Sequence, residues 1–480
     1  MATPIANETD SGQQLTRQMR LRDLVLAQIL TVVGSSWVGI AAGVGSAQFL
    51  VWLLAFTAFY TPMAVAVYYL NREMPLEGGL YSWARRSFGD AVGFMTAWNL
   101  WAYALSSIAT ILFQIPSEMS YMIGPAAARL PDNHLFVYPL LATVVALLTL
   151  SAVRGLGLSK WIHNVSGASV LVVFALLIVT PLWAWLHGMR LHYAPFALHL
   201  PHADAQSLSL VGQVLFAAAG LEYIAIMAGE THSPGRAIGR SVVIASPIIL
   251  LMFVLGTAAV LGIHGARPGT AINYVAPIPQ TLSLGLGAAG PAAMVGKFAI
   301  LLLQIRILGA ASFLYTGATR LPMAAGWDHL IPAWFNRLHP VHKTPVNSIF
   351  MTSGIIVAML VLGSAGVRAA EAFGVLNDAS NEFYALAYLA MFLIPVCGTR
   401  VIRSRLPRGV AVICSIGVLT ILFILVLNAY PFMSAVRPGR FAAKIAATTL
   451  LVNAVGWMFY RSRGASAAGG SRRGTQPVVR

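Results

Sequence analysis

The sequence predicts an all-α, polytopic membrane protein of about twelve transmembrane helices, and three observations predict it. The chain of 480 residues is 58% hydrophobic and only 10% charged, whereas a soluble domain carries nearer a quarter charged residues. Its apolar residues gather in runs of about 20, the length a helix needs to cross a hydrocarbon core. Its 31 Lys and Arg against 15 Asp and Glu, a net charge of +16, fall between those runs. In a soluble chain such an excess would point to nucleic acid. Here it serves orientation, and no nucleic-acid partner is expected.

Taken in order, the first spans are Leu24–Ala47, Phe49–Leu70, Val92–Met122 and Leu135–Val153. Lys160–Leu186, Leu208–Ala228, Arg240–Ile263 and Pro291–Thr319 follow. Val346–Gly363, Ala372–Val396, Val410–Asn428 and Phe441–Tyr460 complete the set. With the N-terminus inside, roughly 22 Lys and Arg lie on the inner side, about 7 outside and about 2 within spans. The bias places both termini in the cytoplasm of a cell whose inner membrane holds the protein. Arg437, Arg440 and Lys444 in the last external loop run against it. The polar start lacks the short apolar core of a secretory signal. Cys397 and Cys414 give neither a disulfide framework nor a metal spacing.

Two spans carry a defect. Span 6 weakens at Ala217-Ala218-Ala219-Gly220 and holds a carboxylate at Glu222 before leaving through Pro234, Gly235 and Arg236. An acid inside a span is costly unless it faces protein, water or a partner. Span 1 contains Gly34, Ser35, Ser36, Gly39, Gly43 and Gly45. Glycine costs about 1 kcal/mol in a helix interior, and serine can divert its hydroxyl to the backbone. Alone, span 1 could equally be a small-residue packing face. Paired with the same defect five spans later, it matches the interrupted helices that mark the substrate site of inverted-repeat transporters.

The connections add less. Asn71–Gly89 mixes Pro75 and Gly78-Gly79 with Tyr81, Trp83, Arg85 and Arg86, which fits an amphipathic segment lying at the membrane interface. His192, His199 and His202 in the Gly188–Ser207 loop are expected to be exposed loop histidines and not metal ligands. His264–Gly290 is too apolar for a free loop and too broken by proline for a span, so it should pack as an external cover. The tail from Arg461 is expected to be disordered and drawn to anionic lipid.

Four stretches together resemble the amino acid–polyamine–organocation permease superfamily. They are Gly34-Ser35-Ser36; P-L-E-G-G-L-Y-S-W-A-R-R-S-F-G-D followed by G-F-M-T-A-W-N-L-W; G-L-E at Gly220–Glu222 followed by G-E-T-H-S-P-G-R; and the loop G-A-T-R-L-P-M-A-A-G-W-D-H-L after span 8. The resemblance runs from about Arg20 to Tyr460 and implies five-plus-five inverted repeats with two added helices. The corresponding divisions are a tail at 1–20, repeats at 21–200 and 201–400, spans 11 and 12 at 401–460, and a tail at 461–480. It also implies secondary transport of amino acids or related amines by alternating access, with no cofactor. Ser36 departs from the family's G-S-G. Span 5 has no internal lysine, the nearest position being Ser169, which leaves the coupling ion (H⁺ or Na⁺) open.

On this reading Ser35, Ser36 and Gly39 serve a substrate carboxylate, while Ala217, Ala218 and Gly220 offer backbone to an ammonium. Phe216 matches the family's aromatic gate. Asn99, Trp101 and Tyr103 on span 3 either shape the side-chain pocket or simply pack. Glu222, Arg306, Asp378 and Glu382 are the coupling and gating candidates. At depths of roughly 10–16 Å, Arg306 could pair with Asp378 and Glu382, which share a helix face; otherwise it faces water in the transport cavity. A polyamine carrier is the rival within the class. A lipid-directed membrane enzyme is a distant third, because no G-x-S-x-G, H-E-x-x-H or Cys–His constellation occurs.

Overall fold

The computed structural model describes residues 20–74, 79–154, 156–191, 197–221, 234–324, 337–340, 342, 344–364, 368–428, 430–432 and 438–471. Among them, ten helices are long and apolar enough to cross a membrane. Span 2 is Gly45–Glu73, span 3 Asp90–Ile123, span 4 His134–Arg154, span 5 Trp161–Leu186, span 7 Ala237–Gly265 and span 8 Gly290–Pro322. Val346–Ser364, Ala369–Cys397, Arg408–Asn428 and Pro438–Ser462 are spans 9 to 12. Helices Leu21–Val32 and Ser35–Gly43 form a further crossing, span 1, bent by 46°. The shorter apolar helix Ala205–Phe216 is the first half of span 6. The protein is thus an all-helical, multi-pass membrane protein.

Burial sorts the spans into centre and rim. Of its most apolar window, span 3 buries 83%, against 11% for span 12. Span 10 packs against spans 3 and 11, span 8 against spans 3 and 5, and the first half of span 1 against spans 5 and 7. Leu147 and Leu150 of span 4, Leu362 of span 9, Leu419 and Val426 of span 11 and Leu450 of span 12 are exposed. Water would penalise such a surface by about 25 cal/mol per Å², and lipid does not. Polar pins hold the layers together. Asn164 Nδ2 of span 5 donates to Asp23 at the start of span 1 (2.9 Å). Trp52 Nε1 donates to Thr257 between spans 2 and 7 (3.0 Å).

Span 2 widens into a π-helical stretch at Ala55–Tyr60. The wide turn carries Phe59 into an aromatic cluster with Phe216, Tyr388 and Phe392. Span 6 begins at a true cap, where Asp204 Oδ1 accepts the Ser207 amide (2.9 Å). Bonds from the Ser207 amide and hydroxyl hold the Asp204 carboxyl below the usual carboxylate range.

Three expectations change. The segment Leu80–Phe88 is amphipathic, but Leu80, Trp83 and Ala84 are fully buried against protein, not laid on lipid. It packs on spans 3 and 10, and Trp83 Nε1 donates to Met74 O (2.9 Å). The last helix does not stop at Tyr460 but continues to Ser471, because Ala and Arg beyond Arg461 are good helix formers. The cover over the outer end is a helix, Pro277–Leu286, packed on spans 1, 5, 7 and 8.

Span 8 approaches span 5 through Gly309, where an added Cβ would land on the Ser166 side chain. Overpacking of this kind costs about 1–3 kcal/mol. Gly309→Val is expected to lower the melting temperature, and Ser166→Gly in the same chain to recover part of the loss; thermal unfolding in detergent measures both.

Candidate functional site

The site grows from the two interruptions. Helix Leu21–Val32 ends where Val33 turns extended, and the next helix restarts after Gly34 at Ser35. Its first amides are therefore free of intrahelical partners and point a positive helix end into the protein. Gly34 is needed sterically: an added Cβ would meet the Trp37 ring at 2.6 Å and stand 3.6 Å from Arg306 Nη2. In span 6 the helix stops at Phe216, and Gly220 takes φ +121°, a region that disfavours any side chain. The Gly220 amide is satisfied across the bundle by donating to Tyr388 Oη (2.9 Å).

Between these breaks lies a closed cavity of about 70 Å³. Gly34, Ser36 and Trp37 of span 1 and Phe216, Ala217 and Gly220 of span 6 line it, together with Tyr103 and Gln114 of span 3. Arg306 of span 8 and Asn377, Asn381 and Tyr384 of span 10 complete the wall. The aromatic side is continuous: Tyr103 stacks on Tyr384 at 3.6 Å between ring centroids, and Phe216 meets Tyr384 edge-on at 5.6 Å.

Behind the span 1 break sits a polar network that the sequence reading missed. The Ser35 hydroxyl lies 3.1 Å from both Gln114 Oε1 and Glu118 Oε1, so its one proton serves one of them at a time. Arg306 Nη1 donates to the same Gln114 oxygen (3.3 Å), and Gln304 Nε2 donates to Glu118 Oε2 (3.0 Å). Glu118 is 0% exposed and Arg306 is 4% exposed. Amides thus stand between a buried acid and a buried base. Glu118 was open to detection as an acid inside a predicted span.

The structure brings together Ser36, Phe216, Ala217, Gly220, Tyr103 and Arg306, and separates the other candidates from the cavity. Ser35 is turned away into the network. Gly39 packs on Pro277, where a Cβ would stand 2.5 Å from the proline Cβ. Ala218 is buried off the cavity wall. Asn99 donates to Asn453 Oδ1 of span 12 (2.7 Å), and Trp101 packs beside Trp98. Both belong to the clasp with span 12. Glu222 lies outside the described residues.

The expected pairing of Arg306 with Asp378 and Glu382 does not form; among the described residues no ion pair joins them. Asp378 instead accepts from Gln213 Nε2 of span 6 (2.7 Å). The Gln213 carbonyl oxygen in turn accepts from Asn377 (2.9 Å) and Asn381 (2.8 Å). Helical rotation explains the error: Asn377, Asn381 and Tyr384 take the cavity face, and Asp378 and Glu382 are turned off it. Depth along the axis matched, but azimuth did not. Among the described residues no group of three or more His, Cys, Asp and Glu converges on a possible metal position. His199 is bonded to Ser46 (3.0 Å), and His192 lies outside the described residues.

A lipid-spanning bundle with a polar cavity at the breaks of two helices defines the class of membrane transporters, and similarity to known proteins makes the assignment. The family model described as Amino acid permease matches residues 24–457, and the chain belongs to that family. It is 26% identical over 398 residues to an uncharacterised transporter of Legionella pneumophila, covering 80% of this chain and 82% of that one. A probable agmatine/putrescine antiporter of Lactococcus lactis is 23% identical, with 77% of each chain covered. A branched-chain amino acid permease of Bacillus subtilis is 22% identical, with 88% of this chain and 90% of the relative covered. The protein is a membrane transporter and not an enzyme.

The Asn99–Asn453 clasp predicts a separation of effects. Asn99→Ala is expected to cost about 1 kcal/mol of stability while leaving substrate affinity unchanged, as read by melting temperature and by uptake kinetics.

Proposed function

We propose that the protein is a secondary transporter of amino acids, binding its substrate in the central cavity at the breaks of spans 1 and 6. The observation that carries this reading is Arg306, a buried guanidinium on the cavity wall with no carboxylate in ion-pair range among the described residues. A cation at that depth costs at least about 3 kcal/mol. One neutral amide acceptor offsets little of it. A substrate carboxylate between Arg306 and the amides of Ser35–Gly43 would meet both positive elements at once. The ammonium would then lie toward the carbonyl end of Leu21–Val32 and the loosened backbone at Ala217–Gly220. Tyr103, Phe216 and Tyr384 would enclose the side chain.

Magnitudes separate this from the polyamine reading, which the agmatine/putrescine relative keeps in view. A second cation 5 Å from Arg306 is repelled by about 3 kcal/mol at an effective dielectric constant near 20, about a hundredfold in affinity. A zwitterion gains at the carboxylate what a polyamine loses. The branched-chain permease relative accords with this choice.

The remaining assignments belong to the same proposal. The breaks relate spans 1–5 to spans 6–10 as two inverted repeats, followed by spans 11 and 12. The cation distribution orients both termini to the cytoplasm of the inner, cell membrane. Glu222 and the Asp378–Glu382 pair are the candidates for coupling transport to H⁺ or Na⁺, with Asp378 tied to span 6 through Gln213.

Uptake into proteoliposomes from a panel of labelled amino acids and polyamines, with and without pH and sodium gradients, tests the reading. Arg306→Gln is expected to lower amino acid uptake more than about tenfold at normal expression and to leave any polyamine uptake unchanged or raised. Wild-type amino acid transport by that variant would defeat the proposal. Ser36→Trp is expected to fill the cavity and abolish substrate-induced thermal stabilisation with little effect on insertion; an unchanged apparent affinity would remove span 1 from the site.

A further inference from the structure

A second cavity, larger than the central one at about 510 Å³, opens at the outer end of the bundle. The end of span 3, the outer helix and the starts of spans 8 and 10 enclose it. Its wall is polar at Ser117, Ser120 and Tyr121 of span 3, and Asn273 Nδ2 donates to Tyr121 Oη (3.2 Å). Lys297 of span 8 lines it, half-buried and with no hydrogen bond or ion pair among the described residues. Asp132 lines it too, with one carboxylate oxygen accepting the Ala369 amide (3.2 Å) and the other left to face a ligand. One cation and one carboxylate on the wall of a polar cavity of this size suit a small zwitterion.

The outer cavity is joined to the central one by a polar seam. Lys297 and Gln304, seven residues apart, share a face of span 8 about 10 Å apart. Gln304 bonds Glu118 (3.0 Å), and one layer further in Arg306 bonds Gln114 (3.3 Å) on the wall of the central cavity. Sealing the interface of spans 3 and 8 would be done more cheaply with apolar side chains, since every member of a buried polar network must be satisfied. A seam that costs stability and connects two cavities is accounted for by passage.

We propose that the outer cavity is a second binding site for an amino acid, its carboxylate at Lys297 and its ammonium at Asp132, from which the substrate passes inward once the Glu118–Gln304 bond parts. This deepens the reading of the central cavity and rests on it for the substrate class. The central site holds its carboxylate by Arg306, the outer one by Lys297, so the two are separable by mutation.

The test places a single cysteine at Ser283, on the wall of the outer cavity, in full-length protein carrying Cys397→Ser and Cys414→Ala. A charged thiosulfonate reagent labels it in proteoliposomes. The probe is a mixture of the twenty protein L-amino acids, with putrescine and spermidine as the counter-probe. The amino acids are expected to slow labelling and the polyamines not to. Protection should persist with Arg306→Gln, or with Ser36→Trp should the first variant fail to express. Lys297→Gln should raise the half-protecting concentration by about three- to fivefold, the range of one half-exposed ion pair, and leave the Arg306-dependent uptake at saturating substrate in place. Loss of protection in both central-site variants would show a single central site acting at a distance and would overturn the proposal, as would equal protection with Lys297→Gln. Amino acid uptake that survives Arg306→Gln would instead defeat the central-site reading and leave the protection assay to stand alone.

Discussion

A helix that stops in the middle of an apolar bundle leaves amides and carbonyls with no water to satisfy them, and each one left unpaired costs several kcal/mol. The rest of this structure is arranged around that constraint. At Gly220 the amide finds the Tyr388 hydroxyl on span 10. At the span 1 break, Ser35 and Ser36 recruit Gln114 and Glu118 from span 3, and these in turn recruit Gln304 and Arg306 from span 8. Two interruptions thus require polar partners on three other spans. Those are the spans gathered at the centre.

The chemistry of the partners decides what the cavity can hold. Gln114 and Gln304 separate Glu118 from Arg306, so neither charge is cancelled by a direct pair. An ion pair would have been self-contained, and a neutral cavity would have followed. The amides instead leave a guanidinium on the wall with capacity for an anion. The second polar knot, Gln213 with Asn377, Asn381 and Asp378, ties the first half of span 6 to span 10. Movement of that half-helix is thereby coupled to the span that carries Tyr384 and Tyr388.

Much was legible in the sequence because the bilayer imposes a one-dimensional rule. Run length fixes where a span lies, and clustered Gly, Ala and Ser mark where it breaks, so the interruptions at Gly34 and Gly220 and the cover at Pro277–Leu286 follow from local composition. The lining residues Ser36, Phe216, Ala217 and Gly220 follow as well, since they sit at the breaks themselves. Which way a helix faces is another matter. It depends on the rotation of every neighbour, and a rotation of one residue, 100°, moves a side chain from cavity to packing face.

Asp378 and Asn377 illustrate the limit: adjacent in sequence, only the second lines the cavity. Asn99 was read toward the substrate and binds span 12 instead, across 354 residues of chain. Glu118 and Gln114 meet Ser35 across 83 and 79 residues. By itself the sequence determined that this chain spans a membrane, how often, and where two of its helices come apart, because those properties are set by burial in lipid and by backbone propensity. Only the tertiary structure decided that Arg306 faces the cavity with an amide and not a carboxylate beside it, because side-chain partners across spans are chosen by azimuth, which no linear pattern carries.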